Sequence, residues 1–172
     1  MEIKAYQEKY REQMISVWEK SVRATHRFVT SDEVNRLKEL VKQIDFNSYS
    51  VYCLISENEV LGFVGVEDDI VESLFLDPDY IGQKLGTKLM NFALNELKAD
   101  KVNVNEQNLD AIKFYSKFGF VTYERTEKDI YGNNYPILKM ILKPEITIKK
   151  INEQEQIPYE LCNTPYFLDQ LV

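Results

Sequence analysis

Apolar residues recur along this chain in two periods, and the switches between them lay out its elements. Residues 3–6 read as a short strand, after which Tyr10, Met14, Val17, Trp18, Ser21 and Val22 fall on one face of a helix. Thr30 followed by Glu33 is a capping-box signature, and Val34, Leu37, Leu40, Val41 and Ile44 continue at helical spacing. Two β-branched and aromatic runs, 49–55 and 60–66, flank Ser56-Glu57-Asn58-Glu59 and read as a hairpin, with Gly62 and Gly65 marking a bulge or a close backbone approach. Residues 70–76 form a further strand, stopped by Asp77-Pro78-Asp79, and Leu85, Leu89, Phe92, Ala93 and Leu97 return to the helical period. A short strand at 102–104, a helix from Asn108 to Phe118 closed by Gly119, and strands at 120–124 and 137–142 around the turn Tyr131-Gly132-Asn133-Asn134 complete the pattern. The predicted order is β-α-α-β-β-β-α-β-α-β-β. Beyond Pro144 the character changes to a short strand at 146–151, a polar link and an aromatic end, too apolar for a solvated tail. Residues 1–143 are therefore expected to form one domain, and residues 144–172 an extension that docks on it or on a partner subunit.

Composition narrows the function classes. At 172 residues and 44% hydrophobic, the chain fits a single domain with its own core. Cys53 and Cys162 are far apart and there is one histidine, so neither a disulfide framework nor a Cys/His metal site is expected. Met1-Glu2-Ile3-Lys4 does not open an apolar leader, and no run is long enough to span a bilayer, so the expected compartment is the cytoplasm. With 21 Lys and Arg against 28 Asp and Glu, the net charge is −7. This disfavours binding to nucleic acid, which relies on neutralising phosphates, and suits an amine-bearing substrate. Oligomeric state is open, a homodimer included.

Two segments carry chemistry. Leu74-Phe75-Leu76-Asp77-Pro78-Asp79-Tyr80-Ile81-Gly82-Gln83-Lys84-Leu85-Gly86 runs from strand through turn into helix, where unpaired N–H groups and the helix dipole hold phosphates. It is neither a Walker A loop nor a dinucleotide fingerprint. Asn108-x-x-Ala111-x-x-Phe114-Tyr115-x-Lys117-Phe118-Gly119-Phe120 follows about twenty residues on. In order and spacing the pair resembles the GNAT superfamily of acetyl-CoA-dependent N-acetyltransferases, over about residues 3–142. The resemblance implies an α/β fold with a mixed, strongly twisted central sheet of about six to seven strands flanked by helices, whose two central parallel strands splay to admit pantetheine.

It also implies roles. Leu74, Phe75 and Leu76 would bond the pantetheine amides through their main chain, and Gly82, Gln83, Lys84, Leu85, Gly86 and Thr87 would cradle the pyrophosphate. Asn108 would contact the cofactor, although a helix N-cap explains it equally well. Tyr115 would stand near the sulfur as general acid, a packed core aromatic being the plain alternative. Three positions depart from the family pattern. Ile81 and Lys84 stand where a Gln or Arg and the first glycine are usual, and Asn103 stands where one branch carries a glutamate base. Lys84 suits the loop with helical dihedrals and harms it with positive φ. A replacement base is sought at Glu72, two residues before Leu74 and hence on its face by strand periodicity, unless it faces solvent. His26 and Phe28, after the first helix, fall where the family shapes its acceptor site, and His26 is assigned first as a substrate contact. Cys53, inside an apolar strand, is inert packing. The expected function is acyl transfer from acetyl-CoA to a small-molecule or peptide amine by direct attack, with no metal. The rival is a non-catalytic module of the same shape that binds acyl-CoA or a partner.

Overall fold

The computed structural model describes residues 1–129 and 132–143. The strand expected at 146–151, the aromatic end and its docking lie outside these residues. Among the described residues, seven strands form one sheet in the order β1-β2-β3-β4-β5-β7-β6: β1 (Glu2–Ala5), β2 (Ser50–Ser56), β3 (Glu59–Glu67), β4 (Ile70–Leu76), β5 (Lys101–Asn105), β6 (Phe120–Thr126) and β7 (Ile137–Leu142). Four helices cover it: α1 (Arg11–Thr25), α2 (Ser31–Val41), α3 (Leu85–Asn95) and α4 (Leu109–Lys117). Short 3-10 turns precede α1 and follow β4 at Pro78–Tyr80. The element order is the one the apolar pattern predicts.

Each helix forms for a local reason. Met14, Val17, Trp18, Ser21 and Val22 bury one stripe of α1. The Thr30 hydroxyl accepts the Glu33 N–H at 3.3 Å and starts α2. That helix stops at Val41, so Ile44 packs on the core from the loop, and Leu40 is exposed rather than part of the buried face. Between β2 and β3, Glu57 and Asn58 both have positive φ, the geometry that matches a two-residue hairpin to strand twist. The sheet separates two cores: Trp18, Val34, Leu37, Phe63 and Phe75 on the α1 and α2 face, and Leu89, Met90, Val102, Tyr115 and Phe120 on the α3 and α4 face.

The sheet's one parallel contact, between β4 and β5, is short. It covers Ile70 with Lys101 and Val71 with Val102, while β5 keeps five register pairs with β7. The register between β3 and β4 slips at the same level: Gly65 faces Ser73 and Val66 faces Val71, so Glu72 is the extra residue of a bulge. A bulge bends its strand and increases twist, and beyond it β4 leaves β5. The glycines of β3 permit this, since a Cβ on Gly62 would stand 2.7 Å from the Phe75 carbonyl oxygen and one on Gly65 2.6 Å from Ser73 Oγ. Gly62→Ala is expected to destabilise the fold by about 1–3 kcal/mol through this overpacking, measured by urea unfolding. A change below about 0.5 kcal/mol, the scale of neutral surface substitutions, would contradict the close approach.

Candidate active site

The end of β4 is held from several directions. The Asp77 N–H donates to the Leu61 carbonyl at 2.8 Å, its Oδ1 accepts the Asp79 N–H at 3.1 Å, and its Oδ2 accepts Lys20 Nζ at 2.7 Å. Because strand N–H and C=O groups alternate in direction, the Asp77 bond to β3 turns the main-chain groups of Leu76 and Leu74 toward the edge that β5 has left. Gly82 and Lys84 then reverse the chain with φ of 87° and 62° and start α3. Lys84 gives no side-chain cap, and the first turn of α3 contains no acidic residue. The N–H groups of Leu85, Gly86 and Thr87 lie in that turn, where a helix has no partners of its own, with the positive end of the dipole behind them. A Cβ on Gly86 would meet Phe114 at an ordinary 3.6 Å, so packing within the protein does not require glycine there. The open side suits a group that presses on the main chain, as a pyrophosphate does.

The facing wall is α4. Asn108 caps it, its Oδ1 accepting the Ala111 N–H at 3.1 Å. Ala111, Phe114, Tyr115 and Lys117 continue along the cavity side, and Tyr115 packs edge-on against Phe114 and Phe120 at 5.4 and 5.9 Å. A cavity of about 480 Å³ joins these parts. Of the residues singled out in the sequence, it brings together Leu74, Phe75, Leu76, Gly82, Lys84, Leu85, Gly86, Thr87, Asn108, Tyr115 and His26. It does not bring in Gln83, Phe28 or Glu72. Gln83 is exposed. Phe28 sits behind His26, with ring centres 5.5 Å apart, and meets Tyr135 at 6.1 Å. The positive φ of Lys84 is the unfavourable alternative: a lysine holds a glycine conformation, at about 1–2 kcal/mol. Phe114 and Lys117, which stand in the second segment without an assigned role, also line the cavity, as does Asn105, which lies outside that segment. The spacing Ala111, Phe114, Tyr115 on one helical face was the signal that leads to Phe114.

Where the strands part, polar side chains are buried. Glu72 is 2% exposed, so it does not face solvent, and the bulge removes the strict alternation that would have put it on the face of Leu74. Ser73 and Asn103 are buried beside it, and Ser73 Oγ and Asn103 Nδ2 have no hydrogen-bond partner among the described residues. Buried polar atoms left in this way are uncommon and call for water or a ligand. Cys53 is buried on β2 near Met14, and burial pushes its thiol up to about 12, which leaves it inert at neutral pH.

His26 has a definite protonation state. The Ala111 N–H can only donate, so it fixes Asn108 Oδ1 as acceptor and makes Nδ2 the group that faces His26 Nε2 at 3.1 Å. Nδ2 donates, Nε2 accepts, and the ring proton lies on Nδ1, which donates to Thr25 Oγ1 at 2.8 Å. The Thr25 hydroxyl passes on to the Ser21 carbonyl at 2.8 Å. Burial lowers the His26 pKa to about 4, so the ring is neutral at pH 7 and both nitrogens are engaged.

A parted pair of parallel strands, a helix N-terminus open to phosphate and a tyrosine across the same cavity define an acetyltransferase of the GNAT class. The chain belongs to that family: the acetyltransferase (GNAT) domain model matches residues 6–144. It is 36% identical over 130 residues to peptidyl-lysine N-acetyltransferase YjaB of Salmonella typhimurium, covering 76% of this chain and 90% of that protein. The Escherichia coli YjaB is 33% identical over 129 residues, 75% of this chain and 88% of that one. The solution structure of apo-form YjaB from Escherichia coli superposes with a TM-score of 0.74 at 31% identity, over 81% of this chain and 95% of that chain. A PaiA N-acetyltransferase from Thermoplasma acidophilum, solved in complex with coenzyme A, shares the fold with a TM-score of 0.63 at 18% identity, over 81% and 98% of the two chains.

The His26 shift has a measurable sign. Unfolding raises its pKa from about 4 to the ordinary 6.5, so between these values the unfolded chain binds a proton that the native ring refuses. Stability contributed by the neutral ring is intact above pH 6.5 and falls as pH drops toward 4, by roughly 3 kcal/mol at most. Urea unfolding across this window is expected to show a shallower pH dependence in His26→Gln than in wild type; parallel curves would contradict the buried neutral ring.

Proposed function

We propose that this chain transfers an acetyl group from acetyl-CoA to the side-chain amine of a lysine in a peptide. One observation carries the reading: a single cavity joins the freed edge of β4, the first turn of α3 and Tyr115. Similarity to relatives named as peptidyl-lysine N-acetyltransferases, over most of their length, supports the lysine acceptor. The net charge of −7 agrees with a cationic one.

Acetyl-CoA supplies a thioester whose acyl carbon bonds to the neutral amine nitrogen as the C–S bond breaks; the nitrogen sheds one proton and the sulfur gains one, so Tyr115 ends each turnover protonated. The protein's part is placement and proton management. Main-chain groups of Leu74 and Leu76 accept and donate to the pantetheine amides as an added strand would. The N–H groups of Leu85, Gly86 and Thr87 hold the pyrophosphate, and Lys84 Nζ adds a charge that offsets its strained backbone. The Leu76 N–H stabilises the negative oxygen that develops on the acyl carbon. Tyr115 gives its phenolic proton to the departing sulfur, since a phenol is protonated at neutral pH. An ammonium cannot attack, so the acceptor must first lose a proton. His26, with both nitrogens engaged, is not the group that takes it. Glu72 is the carboxylate buried where the strands part, and it receives that proton through water.

Thiol release from acetyl-CoA in the presence of lysine peptides is the direct assay. Turnover with a free lysine side chain, lost when the side chain is already acetylated, is expected. Binding of acetyl-CoA without turnover on any amine would favour the non-catalytic module. Tyr115→Phe is expected to lower kcat by roughly 10²-fold with little change in acetyl-CoA affinity, and full kcat in that variant would remove the acid role. Lys84→Gly is expected to weaken acetyl-CoA binding about threefold to tenfold, as for a partly exposed charged contact, while leaving the melting temperature unchanged or raised. Calorimetry with unchanged affinity would show that the ammonium points away from the phosphates.

A further inference from the structure

The two walls of the cavity belong to different halves of the sheet. α1 packs on β3 and β4, and α4 packs on β6, with β4 and β5 parting between them after two register pairs. A wedge of this kind is open to flexing unless something ties its sides above the sheet. One side-chain hydrogen bond does so, between residues 82 positions apart: Asn108 Nδ2 to His26 Nε2. Its far end is anchored, because the His26 backbone N–H donates to the Val22 carbonyl, and the ring N–H donates to Thr25 Oγ1, whose hydroxyl donates to the Ser21 carbonyl on the last turns of α1. Its near end is anchored too, because the same Asn108 amide caps α4 through Oδ1. His26 also seats Phe28, whose ring meets Tyr135 just before β7. The hydrogen-bonded path thus runs from α1 through one imidazole to the first turn of the helix that carries Tyr115.

We propose that His26 is a positioning residue, a neutral strut that ties the end of α1 to the start of α4 and so fixes Asn108 and Tyr115 toward the cofactor cavity. The inference rests on the reading of that cavity as the acetyl-CoA site. It replaces the assignment of His26 as a substrate contact. A strut needs an acceptor atom at the position of Nε2 with no proton on that atom, and it acts on cofactor affinity before it acts on the acceptor.

His26→Leu fills similar space and leaves the Asn108 donor buried without its acceptor. It is expected to weaken acetyl-CoA binding about tenfold, the factor associated with one such hydrogen bond, and to lower kcat, with little change in acceptor KM. His26→Gln can offer its Oε1 near the place of Nε2 and is expected to restore affinity and kcat to within about threefold of wild type. Asn108→Ser keeps a capping oxygen, but its hydroxyl is one heavy atom shorter than the amide and falls short of His26 Nε2. In the double variant with His26→Leu the losses should not multiply, because both remove the same bond. The strut is overturned if the losses multiply, if Gln is as damaging as Leu, or if only acceptor KM moves in His26→Leu. Two measurements need no ligand. The chain has a single histidine, so a long-range nitrogen–proton spectrum reports one imidazole, expected as neutral with the proton on Nδ1 at pH 7; a proton on Nε2 would overturn the proposal even if His26→Leu failed to fold. The same double cycle on urea unfolding should also be non-additive, and additive losses would count against it. Wild-type binding of acetyl-CoA is the control: its absence would remove the reading of the cavity, whereas wild-type binding with unaltered affinity in His26→Leu would remove only the strut.

Discussion

Parallel strands in the middle of a sheet ordinarily share their ladder along their length, because a backbone N–H or C=O buried without a partner costs about 1–3 kcal/mol. β4 and β5 give this up after Val71 and Val102, and the cavity, its polar floor and its two helical walls all follow from that parting. The departure is built rather than accidental. Glu72 adds a residue to β4 at that level, Gly62 and Gly65 let β3 follow the bend, and β7 holds β5 on its other edge. The edge left on β4 retains its hydrogen-bonding capacity, which matches a linear ligand carrying amides along its length.

Electrostatics refine this frame. On the proposed reading, the anion-binding end would rely on main-chain N–H groups and a helix dipole, supplemented by Lys84. The lysine's left-handed backbone is a strain of about 1–2 kcal/mol, comparable to the contribution of a charge-assisted hydrogen bond. At the other end, a neutral imidazole is matched to an amide donor on one side and a hydroxyl on the other. Neutrality is what burial favours, and it also keeps Nε2 free to accept from Asn108.

The sequence carried the order of elements because each has a strong local cause. Thr30 with Glu33 marks a helix start, Asn58 sits in a tight turn, and Asp77-Pro78 stops a strand, all from backbone geometry within a few residues. The paired segments around Gly82 and Tyr115 made the family and the shared cavity legible for the same reason. What escaped depended on contacts across the fold. A one-residue bulge at Glu72 removes the period-two argument for its face, and nothing in Glu72-Ser73-Leu74 announces a bulge. Gln83 lies within the loop segment yet does not line the cavity that Gly82 and Lys84 on either side of it reach. The link between His26 and Asn108 spans 82 positions and could not be read from local spacing.

The central claim is that the parted strands form the slot for acetyl-CoA, and amide chemical shifts observed while acetyl-CoA is titrated into nitrogen-labelled protein test it at residue level. The account predicts that the largest changes fall at Leu74, Leu76, the segment 82–87 and the first turns of α4, while β1 and the outer face of α2 stay unmoved. Saturation with no shifts along β4 and α3, or with shifts confined to the β1 and β2 edge of the sheet, would contradict it.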